Sequence, residues 1–239
     1  MSAAELVVAT LVIAVGAAVQ GGVGFGMNLL AAPLLALIDP DLVPGPAIAA
    51  AVVLTVLVAV RERAAIDRRG VAFALTGRVP GTIVGALLIA SIPERGVAIT
   101  VGLAVIVAAV LNVSGVRLRP TTPTLLIAGA VSGFASTVSS IGGPPMAVVY
   151  ANEPGPVIRG SLSSIFVIGG VMSLVALAAV GDFGRHEATA SAILVVPGAI
   201  GFLLSRRLAT LVDAGRVRTA VLAVSVLGAV AVILRELVW

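Results

Sequence analysis

Residues 139–145 read Ser139-Ser140-Ile141-Gly142-Gly143-Pro144-Pro145, in the middle of an uncharged, largely apolar run from 123 to 152. One membrane helix needs about 20 apolar residues, so the run is too long for a single span. Glycine and proline at this density end a helix. Two shorter helices meeting at an unwound turn are therefore expected. The same pattern stands near the start of the chain, where Gln20-Gly21-Gly22-Val23-Gly24-Phe25-Gly26 interrupts the apolar stretch 5–38.

Outside these two breaks lie five apolar stretches, 44–60, 71–92, 96–116, 158–181 and 188–205. A sixth, 217–234, is interrupted only by Arg218 near its start. The chain of 239 residues is 59% apolar and 11% charged, with a mean hydropathy of +1.20. A soluble domain carries about 25% charge, so this chain lacks the polar surface to cover a water-soluble globule. The expected fold class is all-α, a polytopic integral membrane protein.

Composition also removes several chemistries. With no cysteine and one histidine, His186, thiolate zinc sites, iron–sulfur clusters, cysteine nucleophiles and multi-histidine centres are excluded. No cofactor or metal is expected. All fifteen basic residues are arginines, gathered between apolar runs rather than interleaved with aromatics, which argues against nucleic acid as a partner. The segment MSAAELVVATLVIAVGAAVQ has no cationic leader and is expected to belong to the mature chain.

Charge orients the spans. Arg61, Arg63, Arg68 and Arg69 form one cluster, Arg117 and Arg119 a second, and Arg206, Arg207, Arg216 and Arg218 a third. Cytoplasmic loops carry the excess of arginine and lysine, which places all three inside. The loops 92–95 and 182–187 and the acidic Asp39-Pro40-Asp41 then lie outside. Region 123–152 must begin and end at the cytoplasm and region 5–38 at the outer side, so both are hairpins and both termini face outward.

Sliding the chain against itself by 117 positions pairs Gly16 with Gly133, Gly26 with Gly143, and Val79-Pro80-Gly81 with Val196-Pro197-Gly198. Residues 1–116 and 117–239 then form two membrane repeats within one domain, each a broken hairpin followed by three spans. An odd number of segments per half makes the second copy inverted. Inverted repeats with broken helices in matching positions characterise secondary transporters.

The paired glycine-rich breaks resemble the TauE/SafE family of sulfite and organosulfonate exporters. The motifs that carry the resemblance are Gly22-Val23-Gly24-Phe25-Gly26 with Pro33 downstream, and Gly133-Phe134 followed by Ile141-Gly142-Gly143-Pro144-Pro145. Met27 and Pro144 stand where family breaks often carry a third glycine. The resemblance spans essentially the whole chain. It implies movement of a small sulfur-containing or carboxylate anion across a bacterial inner membrane, by a transporter and not an enzyme.

The residues point to an anion on their own terms. An unwound turn in the membrane leaves backbone N–H groups that must find partners, and helix N-termini favour negative charge. Gly22, Gly24, Phe25, Gly26, Gly142, Gly143 and Pro144 form the turns, and Gln20, Asn28, Ser139 and Ser140 flank them. These, with Arg78, make up the expected substrate site. Arg78 is the one charge inside a predicted span clear of its ends; such a residue marks a pathway or snorkels to the interface. Ser161, Ser163 and Ser164 are expected as helix caps, and Asn152, Glu153 and Arg159 as a solvated loop.

All eleven carboxylates fall in loops or at predicted span ends, which leaves no intramembrane proton relay. An anion channel is the first alternative to a carrier. An intramembrane enzyme ranks below it, since no histidine or carboxylate within a span stands ready to activate Ser139 or Ser140. The expected partners are a small anionic substrate and the lipid bilayer, and a homodimer is compatible with the sequence.

Overall fold

The computed structural model describes residues 3–23, 26–208 and 214–238. Its described residues form ten α-helices and no strand: α1 (Ala3–Val23), α2 (Met27–Ile38), α3 (Gly45–Arg61), α4 (Arg68–Ser91), α5 (Glu94–Val113), α6 (Thr122–Ser139), α7 (Gly143–Val149), α8 (Gly155–Val180), α9 (Arg185–Leu208) and α10 (Ala214–Val238). Seven stretches among them are long and apolar enough to cross a membrane. Both predicted hairpins are present as α1–α2 and α6–α7. The single spans lie where hydropathy put them, with ends that differ. α5 stops at Val113 rather than at 116, and α9 runs on past Arg206 and Arg207 to Leu208.

Local chemistry fixes several ends. The Asp67 carboxylate accepts from the Gly70 N–H at 2.9 Å to start α4, as N-cap aspartates do. Thr121 and Thr124 form a reciprocal cap at the start of α6. Gly181 closes α8 at a φ of 91°, a left-handed conformation that glycine adopts without strain. The three serines expected as caps of α8 do not cap it, because the helix begins earlier, at Gly155. Ser161 instead accepts the Asp67 N–H at 3.0 Å, and Ser164 bonds back to the Gly160 carbonyl.

The dominant helix pairs each join one helix from 1–116 to one from 117–239. α4 packs along α6 and α1 along α9, while α3 packs on α8 and α5 on α10. In the first pair the backbones interlock through glycine. A Cβ on Gly77 would overlap the Leu126 carbonyl, one on Gly81 the Ala130 carbonyl, and one on Gly129 the Ala74 carbonyl. The contacts advance together along both helices, so α4 and α6 run in the same direction. In the second pair, Gly201 sits against the Ala14 carbonyl. Small residues permit such approach where lipid supplies no hydrophobic drive between helices.

Among the described residues three apolar cores result. One gathers Ile13, Leu35, Leu54, Val105, Leu194 and Val232; a second gathers Ala74, Leu125, Met146, Tyr150 and Ile165; a smaller third gathers Ile48, Ile89, Val138 and Leu177. Large apolar side chains such as Leu103, Val107, Ile127, Leu203 and Leu227 are exposed around the bundle, the surface a bilayer would cover.

The two ends of the bundle differ in charge. At one, Arg159 and Arg61 both reach the Glu62 carboxylate, at 3.1 and 3.2 Å. Burial alone would raise the Glu62 carboxyl, but the hydrogen bond and charge of Arg159, then those of Arg61, hold it below its usual value. Arg159 therefore joins the ends of α3 and α8 instead of lying in a solvated loop. The other end brings His186 to 3.9 Å from Asp41 and Arg235 to the Leu37 carbonyl at 2.9 Å. Arg61, Arg63, Arg68, Arg69, Arg117 and Arg119 gather at the first of these ends, the end that the positive-inside rule expects at the cytoplasm.

Candidate functional site

The first break ends α1 at Val23 and restarts the chain at Met27 after Gly26, whose φ is 111°. The Met27 N–H donates to the Gln20 side-chain oxygen at 3.2 Å. The second break ends α6 at Ser139; Ser140 follows with a φ of 61°, and α7 begins at Gly143. The Asn28 side chain ties the breaks together. The Asn28 amide donates to the Ala47 carbonyl at 3.2 Å and to the Ser140 carbonyl at 3.1 Å. Two carbonyl acceptors fix which way that amide faces. Its Oδ1 is buried with no partner.

Around this junction lies a cavity of about 70 Å³ lined by all the elements that meet there: Gln20 of α1, Asn28 of α2, Thr55 of α3, Arg78 of α4, Ser136 of α6 and Phe166 of α8 among them. A water occupies roughly 10–15 Å³ on this measure, so the cavity has room for a few waters or one small oxyanion. Among the described residues its polar lining consists of one cation with neutral amides and hydroxyls, and holds no carboxylate or histidine.

Arg78 has no solvent exposure. Its side chain does not reach the cytoplasmic interface; it lies between glycines of two neighbouring helices. A Cβ on Gly133 would strike its Cγ, and one on Gly169 its Nε. Nη1 donates to the Ser132 hydroxyl at 2.8 Å, and the Ser132 hydroxyl in turn donates to the Gly142 carbonyl at 2.6 Å. Nε is buried with no partner, and no carboxylate stands within ion-pairing reach among the described residues. A guanidinium stays charged in proteins, and a buried charge without a counter-charge is costly. The site therefore carries a buried positive charge with no counter-charge among the described residues.

Of the residues expected from sequence, Gln20, Gly26, Asn28, Arg78, Ser140, Gly142, Gly143 and Pro144 line this cavity. Ser139 does not: it is fully buried and its hydroxyl bonds back to the Ala135 carbonyl at 2.6 Å. Gly22 falls in the last turn of α1. Gly24 and Phe25 lie outside the described residues. The expected supply of free backbone N–H groups is also smaller than the turns suggested. Gln20 already occupies the Met27 N–H, and Pro144 and Pro145 in the first turn of α7 have none. Charge at the site thus rests on Arg78 more than on helix ends.

Ser136 and Thr55, which also line the cavity, were not singled out from the sequence. Ser132, Ser136 and Ser140 fall at successive intervals of four, which puts them on one helical face. That spacing was the available signal. Thr55 bonds back to the Ala51 and Val52 carbonyls, and nothing in its sequence context distinguishes it from other membrane threonines.

The model of the sulfite exporter TauE/SafE family matches residues 8–232. No curated protein and no solved structure matches the chain.

Proposed function

The chain belongs to the sulfite exporter TauE/SafE family, whose members are membrane transporters and not enzymes, and from that premise we propose that it exports small sulfur oxyanions such as sulfite or organosulfonates. The observation that carries this is Arg78, a buried cation with no carboxylate partner, in a small cavity where two broken helices meet. An oxyanion would supply the missing counter-charge and an acceptor for the guanidinium. The orphan Asn28 Oδ1 asks for the opposite: a donor, from a protonated or amino-bearing oxyanion or from a water that travels with it.

The carrier works by alternating access between two inverted halves. The matched helix pairs support this, since exchanging the halves at the 117-residue offset turns α4–α6 into α9–α1 and maps α3–α8 and α5–α10 onto themselves. A bacterial inner membrane is the setting. There an inside-negative potential favours the exit of an anion by ~2.3 kcal/mol per charge per 100 mV. With no carboxylate in a span interior, either the anion's own gradient and this potential drive the step, or it is coupled through a group other than an intramembrane carboxylate.

The test is thermal stabilisation of the purified protein by sulfite, sulfoacetate, taurine, thiosulfate, acetate and phosphate. A ligand that binds the folded state raises its melting temperature. The expected result is a shift selective for sulfur oxyanions that Arg78→Gln abolishes. A shift of equal size in Arg78→Gln would remove the proposed site.

A further inference from the structure

α7 is seven residues long and opens with two prolines, Pro144 and Pro145. Pro144 lines the central cavity on one side. It also lines a larger groove of about 720 Å³, whose walls include Arg117, Val148, Ala151 and Thr219. Arg117 and Ala151 follow α5 and α7 at the arginine-rich end of the bundle. This short helix therefore separates the central cavity from an open space at the cytoplasmic face.

Besides the burial of Met146, Val149 and Tyr150 in an apolar core, three hydrogen-bonded attachments hold α7 in place. The Leu118 N–H donates to the Val148 carbonyl at 3.0 Å. Tyr150, just past the helix, donates to the Asp67 carboxylate at 3.2 Å. That carboxylate is itself held by the Gly70 N–H, and the Asp67 N–H by Ser161. The third attachment lies at the other end of α7, where Ser132 donates to the Gly142 carbonyl while accepting from Arg78. The site cation thus supports one end of the partition. An anion that draws the guanidinium away from Ser132 weakens the hold on Gly142.

We infer that the groove lined by Arg117 is the cytoplasmic vestibule of the central site, and that α7 is its door, latched by Tyr150 on Asp67 and released through Arg78 and Ser132. The inference rests on the anion-carrier reading above. At the 117-residue offset Tyr150 and Asp67 correspond to Pro33 and Gly184, so this latch belongs to one end of the protein only.

The chain contains no cysteine, which gives a clean background for the test. In Leu118→Cys with Val148→Cys, a short bis-maleimide, washed out before the assay, would pin α7 to the loop before α6 through thioethers that sulfite does not cleave. Sulfite flux into proteoliposomes is expected to fall at least tenfold in the cross-linked protein and to stay near the parent level in either single-cysteine variant treated with the same reagent. Flux that survives complete cross-linking overturns the door while leaving the carrier reading in place. Absence of sulfite flux in the unmodified protein overturns both. A second measurement does not depend on transport. Met146 has no exposure, and labelling of Met146→Cys from the cytoplasmic side by an impermeant thiol reagent is expected to rise several-fold when Tyr150→Phe is added. Labelling unchanged by loss of the Tyr150 hydroxyl overturns the latch.

Discussion

Arg78 and Ser132 are both fully buried, and their side chains meet at 2.8 Å, Nη1 to Oγ. This contact joins α4 to α6 in the membrane interior and sets the position of the one cation in the central cavity. A hydrogen bond to a charged group is worth about 1.5–3 kcal/mol, and a guanidinium fork is not replaced by an ammonium. Arg78→Lys is therefore expected to weaken sulfite binding by roughly ten- to a hundredfold, the range those energies correspond to. The check is titration by thermal shift, with membrane insertion as the control. Equal affinity in the variant would show that the fork is not used.

The glycine seam between α4 and α6 predicts a stability pattern. A Cβ at Gly77 or Gly81 would overlap a backbone carbonyl of the opposite helix, and neither backbone can turn aside. Each alanine variant should cost about 3 kcal/mol, the upper end for overpacking. Gly115 has a φ of 67° but open space around it, so Gly115→Ala should cost about 1 kcal/mol from backbone strain alone. Detergent melting curves of the three variants would separate the two mechanisms. Similar losses in all three would contradict the interlock.

Much of this architecture is legible in the sequence because membrane helices carry their pattern in composition. The breaks at 20–26 and 139–145 stand out, since glycine and proline have few other uses at that density within an apolar run. Helix ends were less legible. Hydropathy stops at the first arginine, whereas α9 continues past Arg206 and Arg207, because a helix crossing the interface keeps its backbone bonds after its side chains turn polar. Among the serines, Ser140 lines the cavity while Ser139, one residue away, bonds to its own helix. Neighbouring helix positions point in different directions, and sequence alone did not fix the helix's rotation. The Gln20 cap on Met27 depends on where α1 and α2 meet, which no local pattern encodes.

Ser140 tests the geometry of the second break. It holds a φ of 61°, where a β-branched residue is a rare outlier. Ser140→Gly should retain stability to within about 1 kcal/mol, since glycine adopts this conformation freely. Ser140→Val should lose clearly more than Ser140→Gly in the same melting assay. The reverse order would show that the turn relaxes.

The outer face predicts a pH dependence. Burial, followed by the charges of Glu187 and Asp41, pushes Asp182 up from 3.8 to about 6. Between these values the folded protein binds a proton that the unfolded chain has released, so this group lowers stability as pH rises through that window. Asp182→Asn stays neutral throughout. It should melt above the parent at about pH 7, with the gap closing toward about pH 3, below both values, where both states of the parent are largely protonated. A gap that is constant with pH would assign the effect to packing.

The central claim is that Arg78 holds a sulfur oxyanion in a carrier, and labelled sulfite counterflow in proteoliposomes tests it most directly. Vesicles loaded with unlabelled sulfite and diluted into a trace of labelled sulfite should transiently accumulate label above its equilibrium level. That overshoot requires exchange through a saturable site and is absent from a channel. The account predicts an overshoot with the parent protein and none with Arg78→Gln. Label that merely equilibrates, or an overshoot that Arg78→Gln retains, would contradict it.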